Sequence, residues 1–517
     1  MNGMENGRIA LSSGPGRWVV LTTVLGSGMA MLDSTVVNVA LPRLGDALDA
    51  DMSGLQWTIN AYTLTLAGLI LLGGSLGDRY GRRKIFLIGV AWFAIASALC
   101  GLAPNIQVLV VARALQGIGG ALLTPGSLAI IQSSFARGDR PKAVGAWSGL
   151  GGVASAIGPL LGGWLVESAG WRWVFLINLP LAAIVIVTAL RHVPETWDTA
   201  AAGRFDVLGA VLAALGLAGV TYGLVGAGQG AVPATVLVVG LILLGWFALL
   251  EIRRSRVGQR VGALVPVEVF GSRVFTSVNV VTLIMYAAMG VVFFLLIVQL
   301  QVSAGFSPIA AGSAMLPVTL LMLVLSAPAG QLAKRIGPRP PMTVGILLAG
   351  AGFVVLSGIG PGSSYLVDVL PGVVLFGLGI SAAVAPLTAT VLAAASERHA
   401  GVASGVNNAV ARTGSLLAVA AIPPLVGLTG AAFESARVFT GGFHTAMLTC
   451  AAMMGLAALI TVVTITDDVF REPRRHTHCT VDAPPLDQVG SDLPGHTAES
   501  VHRGDVPHGG LGSPAPE

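Results

Sequence analysis

Charge is scarce in this chain. Of its 517 residues only 10% are Asp, Glu, Lys or Arg, against roughly 25% in an ordinary soluble domain. So few charges leave a water-facing surface of this size uncovered, which excludes a soluble globular protein. Cysteine is nearly absent too. Cys100, Cys450 and Cys479 stand at no metal-ligand or disulfide spacing, so no metal site and no disulfide scaffold is expected. The histidines gather mostly in the C-terminal segment at irregular intervals. Nowhere do His, Cys and acids cluster at one membrane face, as a polytopic enzyme would need. No Gly-rich phosphate-cradling loop is present, which disfavours ATP-driven work by this chain, and no cofactor is expected. Net charge is only +4, so nucleic acid is not an expected partner. Lysine is confined to Lys84, Lys142 and Lys334 among 29 basic residues, a usage that suggests a GC-rich bacterial genome.

What is present is apolar: 54% of residues are hydrophobic and the mean hydropathy is +0.81. The apolar residues fall in blocks of roughly 20, the length that crosses about 30 Å of hydrocarbon as helix. Lipid admits only helices or closed barrels, and these blocks lack period-2 alternation, so helices are expected. Runs at 18–41, 55–77, 85–103, 108–131, 143–166, 173–190, 207–226, 233–250, 274–300, 309–333, 342–358, 365–391, 400–426 and 443–465 predict fourteen spans. The first is too long for a signal-peptide core and reads as a retained span behind a polar arm, residues 1–17. The segment 466–517 is rich in Pro, Gly, His and acids without hydrophobic period and is expected to be disordered.

Positive charge orients the spans. With the N-terminus inside, 24 of the 29 Lys and Arg residues fall on the inner side. Only Arg43, Arg172 and Arg437 fall outside, while Arg113 and Arg412 lie within spans. This predicts a multi-pass protein of a bacterial plasma membrane with both termini cytoplasmic. An internal echo accompanies the pattern. Gly74 to Arg83 after span two and Gly330 to Arg339 after span ten both read G-x-L-x-x-R-x-G-x-R, both on the inner side. Two six-span halves, 18–191 and 274–465, with two additional spans at 205–252 between them, account for the count.

Span one places Thr22, Gly26, Met29 and Asp33 on one helical face. An acid in hydrocarbon costs several kcal/mol and is expected to face a cavity or a partner; an acid near the outer helix end is the blander alternative. Asp33 lies about 12 Å below the outer end of its span and Arg113 about 8 Å below the same side of span four, at 1.5 Å per residue. An Asp33–Arg113 ion pair is therefore expected, direct or through water, with an outward-snorkelling Arg113 as the alternative. Gly117, Gly120 and Thr124 share the Arg113 face, and such small residues admit a neighbouring backbone. Span thirteen carries Ser404, Asn408, Arg412 and Ser415 on one face, with Arg412 near mid-membrane and no acid nearby in sequence. Glu167, Glu251 and Asp368 sit at span ends, where an interfacial role is expected.

Four blocks carry a family resemblance. They are Leu32 to Pro42, Gly74 to Lys84, Arg113 to Ala121, and Gly149 through Gly158-Pro159-Leu160-Leu161-Gly162-Gly163. In order and spacing they resemble the fourteen-span drug:proton antiporters of the major facilitator superfamily, over about residues 18–465. The resemblance implies an all-α major facilitator fold of two six-helix bundles plus two central helices. It implies no enzymatic chemistry but export of drugs or antibiotics, conferring resistance, driven by inward proton flow; an uptake symporter of the same architecture is the alternative. It assigns Gly149, Gly158, Pro159, Gly162 and Gly163 to an antiporter helix. It assigns Gly74, Asp78, Arg79, Gly81, Arg82 and Arg83 to an inner gate that latches the halves, in addition to their role as a positive-inside anchor. The expected partners are a small-molecule substrate, protons and the bilayer, with Asp33 and Arg113 in proton coupling, Asn38, Asn408 and Arg412 in the substrate cavity, and a monomeric chain.

Overall fold

A computed structural model of the chain describes residues 4–5, 8–136, 138–197, 206–257, 267–394, 400–430, 432 and 435–470. Of the segment expected to be disordered, 466–517, Asp467–Phe470 form a short 3-10 turn, and 471–517 with the tail's histidines lie outside the described residues. Apart from a two-residue antiparallel pair, Met4–Glu5 with Arg8–Ile9, the described secondary structure is helical.

The helices are α1 (Gly14–Leu48), α2 (Met52–Tyr80), α3 (Arg82–Gly101), α4 (Ile106–Ser134), α5 (Arg140–Ser168), α6 (Trp173–His192, interrupted at Ile177) and α7 (Val207–Val225). They continue with α8 (Ala231–Val257), α9 (Arg273–Val302), α10 (Pro308–Ile336), α11 (Arg339–Leu356), α12 (Tyr365–Ala393), α13 (Ala400–Leu425) and α14 (Ala436–Thr464). Twelve are both long and apolar enough to cross a bilayer. The other two, α5 and α13, have 29 and 26 residues. The set is compatible with fourteen crossings.

The starts of the helices are written locally. Ser13, Asp51, Asn105, Asp206, Ser272, Ser307 and Ser435 each accept a hydrogen bond from the backbone N–H three residues on. Each satisfies one of the donors that a helix N-terminus leaves unpaired. One boundary departs from expectation. The first span was expected to close at Leu41-Pro42, yet α1 runs through Pro42 to Leu48 and stops where Asp49 adopts φ 49°. Proline removes one N–H but leaves the helix open to continue, because neighbouring backbone absorbs the loss.

The packing repeats itself. In the first half α1 packs on α5 and α6, α4 on α2 and α3, and α3 on α6. Eight helices later α9 packs on α13 and α14, α12 on α10 and α11, and α11 on α14. Among the pairings that join the halves are α2 with α13 and α5 with α10, which are equivalent under the same exchange, and α1 with α9. The loops carry the symmetry further. Gly81 (φ 108°) and Gly337 (φ 91°) take up the equivalent position in the two echoed motifs, a conformation that only glycine adopts freely. An acid that follows the last helix of each half caps the third helix of that half. Glu195 accepts from the N–H of Arg83 and Lys84 at 3.0 and 3.1 Å, and Asp467 accepts from Arg339 N at 3.1 Å.

The inserted pair does not stand apart. α7 packs on both α2 and α13, where Leu64, Leu217 and Leu416 form a small cluster across the seam. α8 packs on α7 and is mostly exposed, as a lipid-facing helix would be. The N-terminal arm is also tied down: Ile9 bridges to Phe135, and Leu11 N donates to Asp139 at 2.9 Å.

Candidate coupling site and substrate cavity

The α2–α4 contact decides what surrounds Arg113. Any Cβ at Gly117 would strike the Tyr62 carbonyl and Thr65, so α4 can press against α2 only with glycine there. That approach lays the Tyr62 ring over the Arg113 guanidinium, 4.3 Å from its centroid, with Phe175 at 5.8 Å. Asp33, from α1, meets the same guanidinium directly. Arg113 donates to Asp33 Oδ2 at 2.5 Å, and both side chains are fully buried. The depth argument from the two spans thus ends in a direct contact, with Arg113 turned inward.

Three further residues complete the site, and none was assigned a role from sequence. Gln116 donates to Asp33 Oδ1 at 2.8 Å and accepts from Arg113 at 2.5 Å. Asn178, on α6, donates to Asp33 Oδ1 at 3.0 Å. Ser97, on α3, accepts from both amides, at 2.6 and 3.1 Å. Gln116 stands three residues after Arg113 and so shares its face, a signal that was available. Asn178 and Ser97 are single polar residues in apolar runs, and only the helix packing brings them here. The Asp33 carboxylate therefore meets three donors and, among the described residues, no acceptor. Arg113 Nε donates to the Thr58 carbonyl at 3.0 Å.

The antiporter-helix residues serve two contacts. A Cβ at Gly158 would strike Thr35, and one at Gly162 would lie 2.8 Å from Val36, so these glycines seat α5 on α1. A Cβ at Gly163 would lie 2.6 Å from the Pro308 carbonyl, and one at Gly312 would strike the carbonyl of Pro159, so this end of α5 seats on α10 of the other half. Gly149 has nothing within 4 Å of its Cβ position.

Around Gly163 the halves are joined at the end that the charge pattern assigns to the outside. Gln56 donates to Val419 O at 2.7 Å, Met52 N to Gly430 O at 2.9 Å and Gln301 to Val39 O at 3.0 Å. Glu167, expected to be merely interfacial, accepts from Ile309 N across the same seam at 3.4 Å. At the opposite end the described ion pairs stay within a half or within the insertion. Asp78 pairs with Arg82 at 2.7 Å, Arg83 reaches Glu195 and the Val193 carbonyl, and Arg79 lies over Tyr80. Gly74 packs near Pro125, and a Cβ at Gly81 would lie 2.8 Å from the Glu195 carboxylate. The chain is thus closed at the expected outer side.

Asp206, at the start of α7, pairs with Arg254 of α8, beside Glu251. Burial works to raise the Asp206 pKa, but hydrogen bonds from Glu251, Arg254 and Gly209 N–H, with the Arg254 charge, outweigh it and hold the carboxyl below its ordinary value. Glu251, expected at an interface, is 4% exposed and lines an apolar cavity of about 520 Å³ between α8, α9 and α13.

The residues expected in the substrate cavity are not gathered at Asp33. Asn38 is half-buried, with Oδ1 enclosed and without a hydrogen-bond partner. Asn408 is exposed and donates to its own helix, at Ser404 O. Arg412 is half-buried. Neighbouring faces of α13 are taken up elsewhere: Asn407 bonds Asn279 and Thr282 of α9, Ser415 abuts Gly290 of α9, and Leu416 meets α2 and α7.

The model of the Major Facilitator Superfamily matches residues 23–419. The chain is 36% identical to the puromycin resistance protein of Streptomyces alboniger, covering 78% of this chain and 81% of that protein. It is 34% identical to the tetracenomycin C resistance and export protein of Streptomyces glaucescens, covering 79% of this chain and 75% of that protein. Its fold matches a bacterial homologue of the human lysosomal transporter Spinster in an inward-facing and unoccupied conformation. That match has a TM-score of 0.62 at 17% identity and covers 89% of this chain and 98% of that one.

Proposed function

This chain belongs to the Major Facilitator Superfamily, and from that premise we propose that it is a proton-driven exporter of amphipathic small molecules such as antibiotics. It is a multi-pass membrane transporter, and its relatives are named for resistance and export. The observation that carries the coupling is the buried Asp33 carboxylate held by Arg113, Gln116 and Asn178.

Three donors and no acceptor contact Asp33, so a proton added to it finds no hydrogen-bond partner among them. Protonation and this packing therefore oppose each other. The carboxyl accepts a proton only where the site has loosened, and it releases the proton as Arg113, Gln116 and Asn178 close on it. A difference in proton affinity between two states is what couples proton flow to reorientation; a fixed affinity would couple nothing. The geometry described here, sealed at the expected outer side with Asp33 fully bonded, fits the state that has delivered its proton inward. The state open to the outside, with the α5–α10 seam parted, is then the one that loads it. Arg113 holds the charge in reserve: its second partner Gln116, its bond to Thr58 O and the Tyr62 face keep the guanidinium in place while Asp33 is neutral.

The test is efflux of tetracenomycin C from proteoliposomes under an imposed pH gradient, together with growth inhibition in cells with and without the gene. Efflux that follows the gradient and collapses with it is the expected result. Gradient-independent movement refutes proton coupling, and accumulation on the acidic-side gradient in the opposite sense would make the chain an uptake symporter.

A further inference from the structure

Arg412 is a cation inside the membrane bundle for which the described residues supply no counter-charge. Its Nε is enclosed and has no hydrogen-bond partner. Among the described residues it forms no ion pair. The acid best placed by sequence to neutralise it, Asp33, is already bonded to Arg113, Gln116 and Asn178. The other acids of the second half, such as Asp368 and Asp467, lie at helix ends and accept from backbone there, from Ser364 N and Arg339 N. Ionisable side chains at this depth ordinarily pair with a neighbour or a backbone carbonyl, and one that does neither marks a ligand path.

We propose that Arg412 is the anchor of the substrate site and that the exported molecule carries an acidic group, a carboxylate, sulfonate or ionised phenol, on an apolar ring system. The guanidinium supplies the charge and a planar donor fork that matches such a group. An acidic substrate seated there cancels the Arg412 charge before the inner side closes around it, whereas a cationic one is repelled. The inference rests on the exporter reading for its biological meaning but is testable without any gradient.

The experiment compares two probes of one skeleton in nanodiscs holding the full chain. 8-Anilinonaphthalene-1-sulfonate carries the acidic group, and N-phenyl-1-naphthylamine lacks it; saturable fluorescence is read for each. Wild type is expected to bind the sulfonate at least about tenfold more tightly than the neutral amine. Arg412→Gln should remove that advantage, leaving the amine's affinity within about twofold, and Arg412→Lys should restore part of it. Absence of saturable sulfonate binding by wild type, or equal losses for both probes in Arg412→Gln, overturns the proposal. Displacement of the sulfonate by millimolar chloride or phosphate assigns Arg412 to inorganic anions and overturns it as well. Arg412-dependent sulfonate binding without pH-driven efflux of that probe would leave this site standing and count against the exporter reading alone.

Discussion

Replacing Asp33 with Asn tests both what the buried pair contributes and what it is for. The substitution keeps the size and removes the charge. Arg113, fully buried, then loses its only counter-ion and keeps Gln116 Oε1, Thr58 O and the Tyr62 face. The new amide also turns an NH₂ toward one of two regions that already hold donors, Arg113 on one side and Gln116 and Asn178 on the other. Breaking a buried pair from one side costs about 3–5 kcal/mol, because the remaining charge is stranded. The acceptors that stay on Arg113 place the expected loss near the lower end, about 3 kcal/mol. Adding Arg113→Gln removes the stranded charge, so the double variant is expected to recover most of that loss. Stability is read as the midpoint of denaturant unfolding in detergent, and coupling as pH-gradient-driven efflux in proteoliposomes. The two readouts should part: stability falls and then recovers, while gradient-driven efflux is lost in the single variant and stays lost in the double. A single variant as stable as wild type would show that the pair does not hold Arg113. Wild-type coupling in Asp33→Asn would refute the mechanism outright.

Gly163→Val places side-chain atoms against the Pro308 carbonyl and Ile309, so it is expected to part the outer seam and abolish efflux; a cysteine placed at Val39 should then react with a membrane-impermeant thiol reagent added outside, and unchanged protection would contradict the seal. Gly81→Ala forces an L residue to φ 108° and crowds Glu195, a loss of about 1–2 kcal/mol that Glu195→Ala should only partly relieve, whereas full recovery would mean that the backbone is unstrained. Because the Asp206 carboxyl is held below its ordinary value, its contribution to stability is present at neutral pH and lost as pH falls through that lowered value; Asp206→Asn should flatten that part of the pH–stability curve, and an unaltered curve would remove Asp206 from the account. Reporter fusions at Asp468 and in the turn at 227–230 should read inside and outside respectively, and either result reversed would overturn the orientation.

The helical character and the order of the apolar segments were legible in the sequence because they depend on composition summed along the chain. A helix in hydrocarbon satisfies its own backbone, so a run of some 20 apolar residues commits itself without help from neighbours. The two G-x-L-x-x-R-x-G-x-R loops announced the repeat for the same reason, since each glycine answers a local backbone demand at Gly81 and Gly337. The Asp33–Arg113 pair was reachable by arithmetic on helix rise, because two charges at one depth in lipid have few other partners. The antiporter stripe on α5 could be read as a packing surface, but not against which helices: Gly158 and Gly162 turn to α1, while Gly163 turns to α10.

Tertiary structure decided everything that depends on which helix stands beside which. Gln116, Asn178 and Ser97 come from three helices to one carboxylate and its shell. Glu195 and Asp467 cap helices more than a hundred residues away. The inserted α7 lies against both α2 and α13, so the seam between the halves contains a helix that the repeat alone does not call for. Arg412 shows the division most plainly: its depth was written in the sequence, but that Asp33 is already taken and leaves it without a counter-charge among the described residues was settled only when the first half folded around that acid. Hydropathy is additive along a chain and can be read residue by residue; pairing is a choice among partners, and it exists only once the helices have packed.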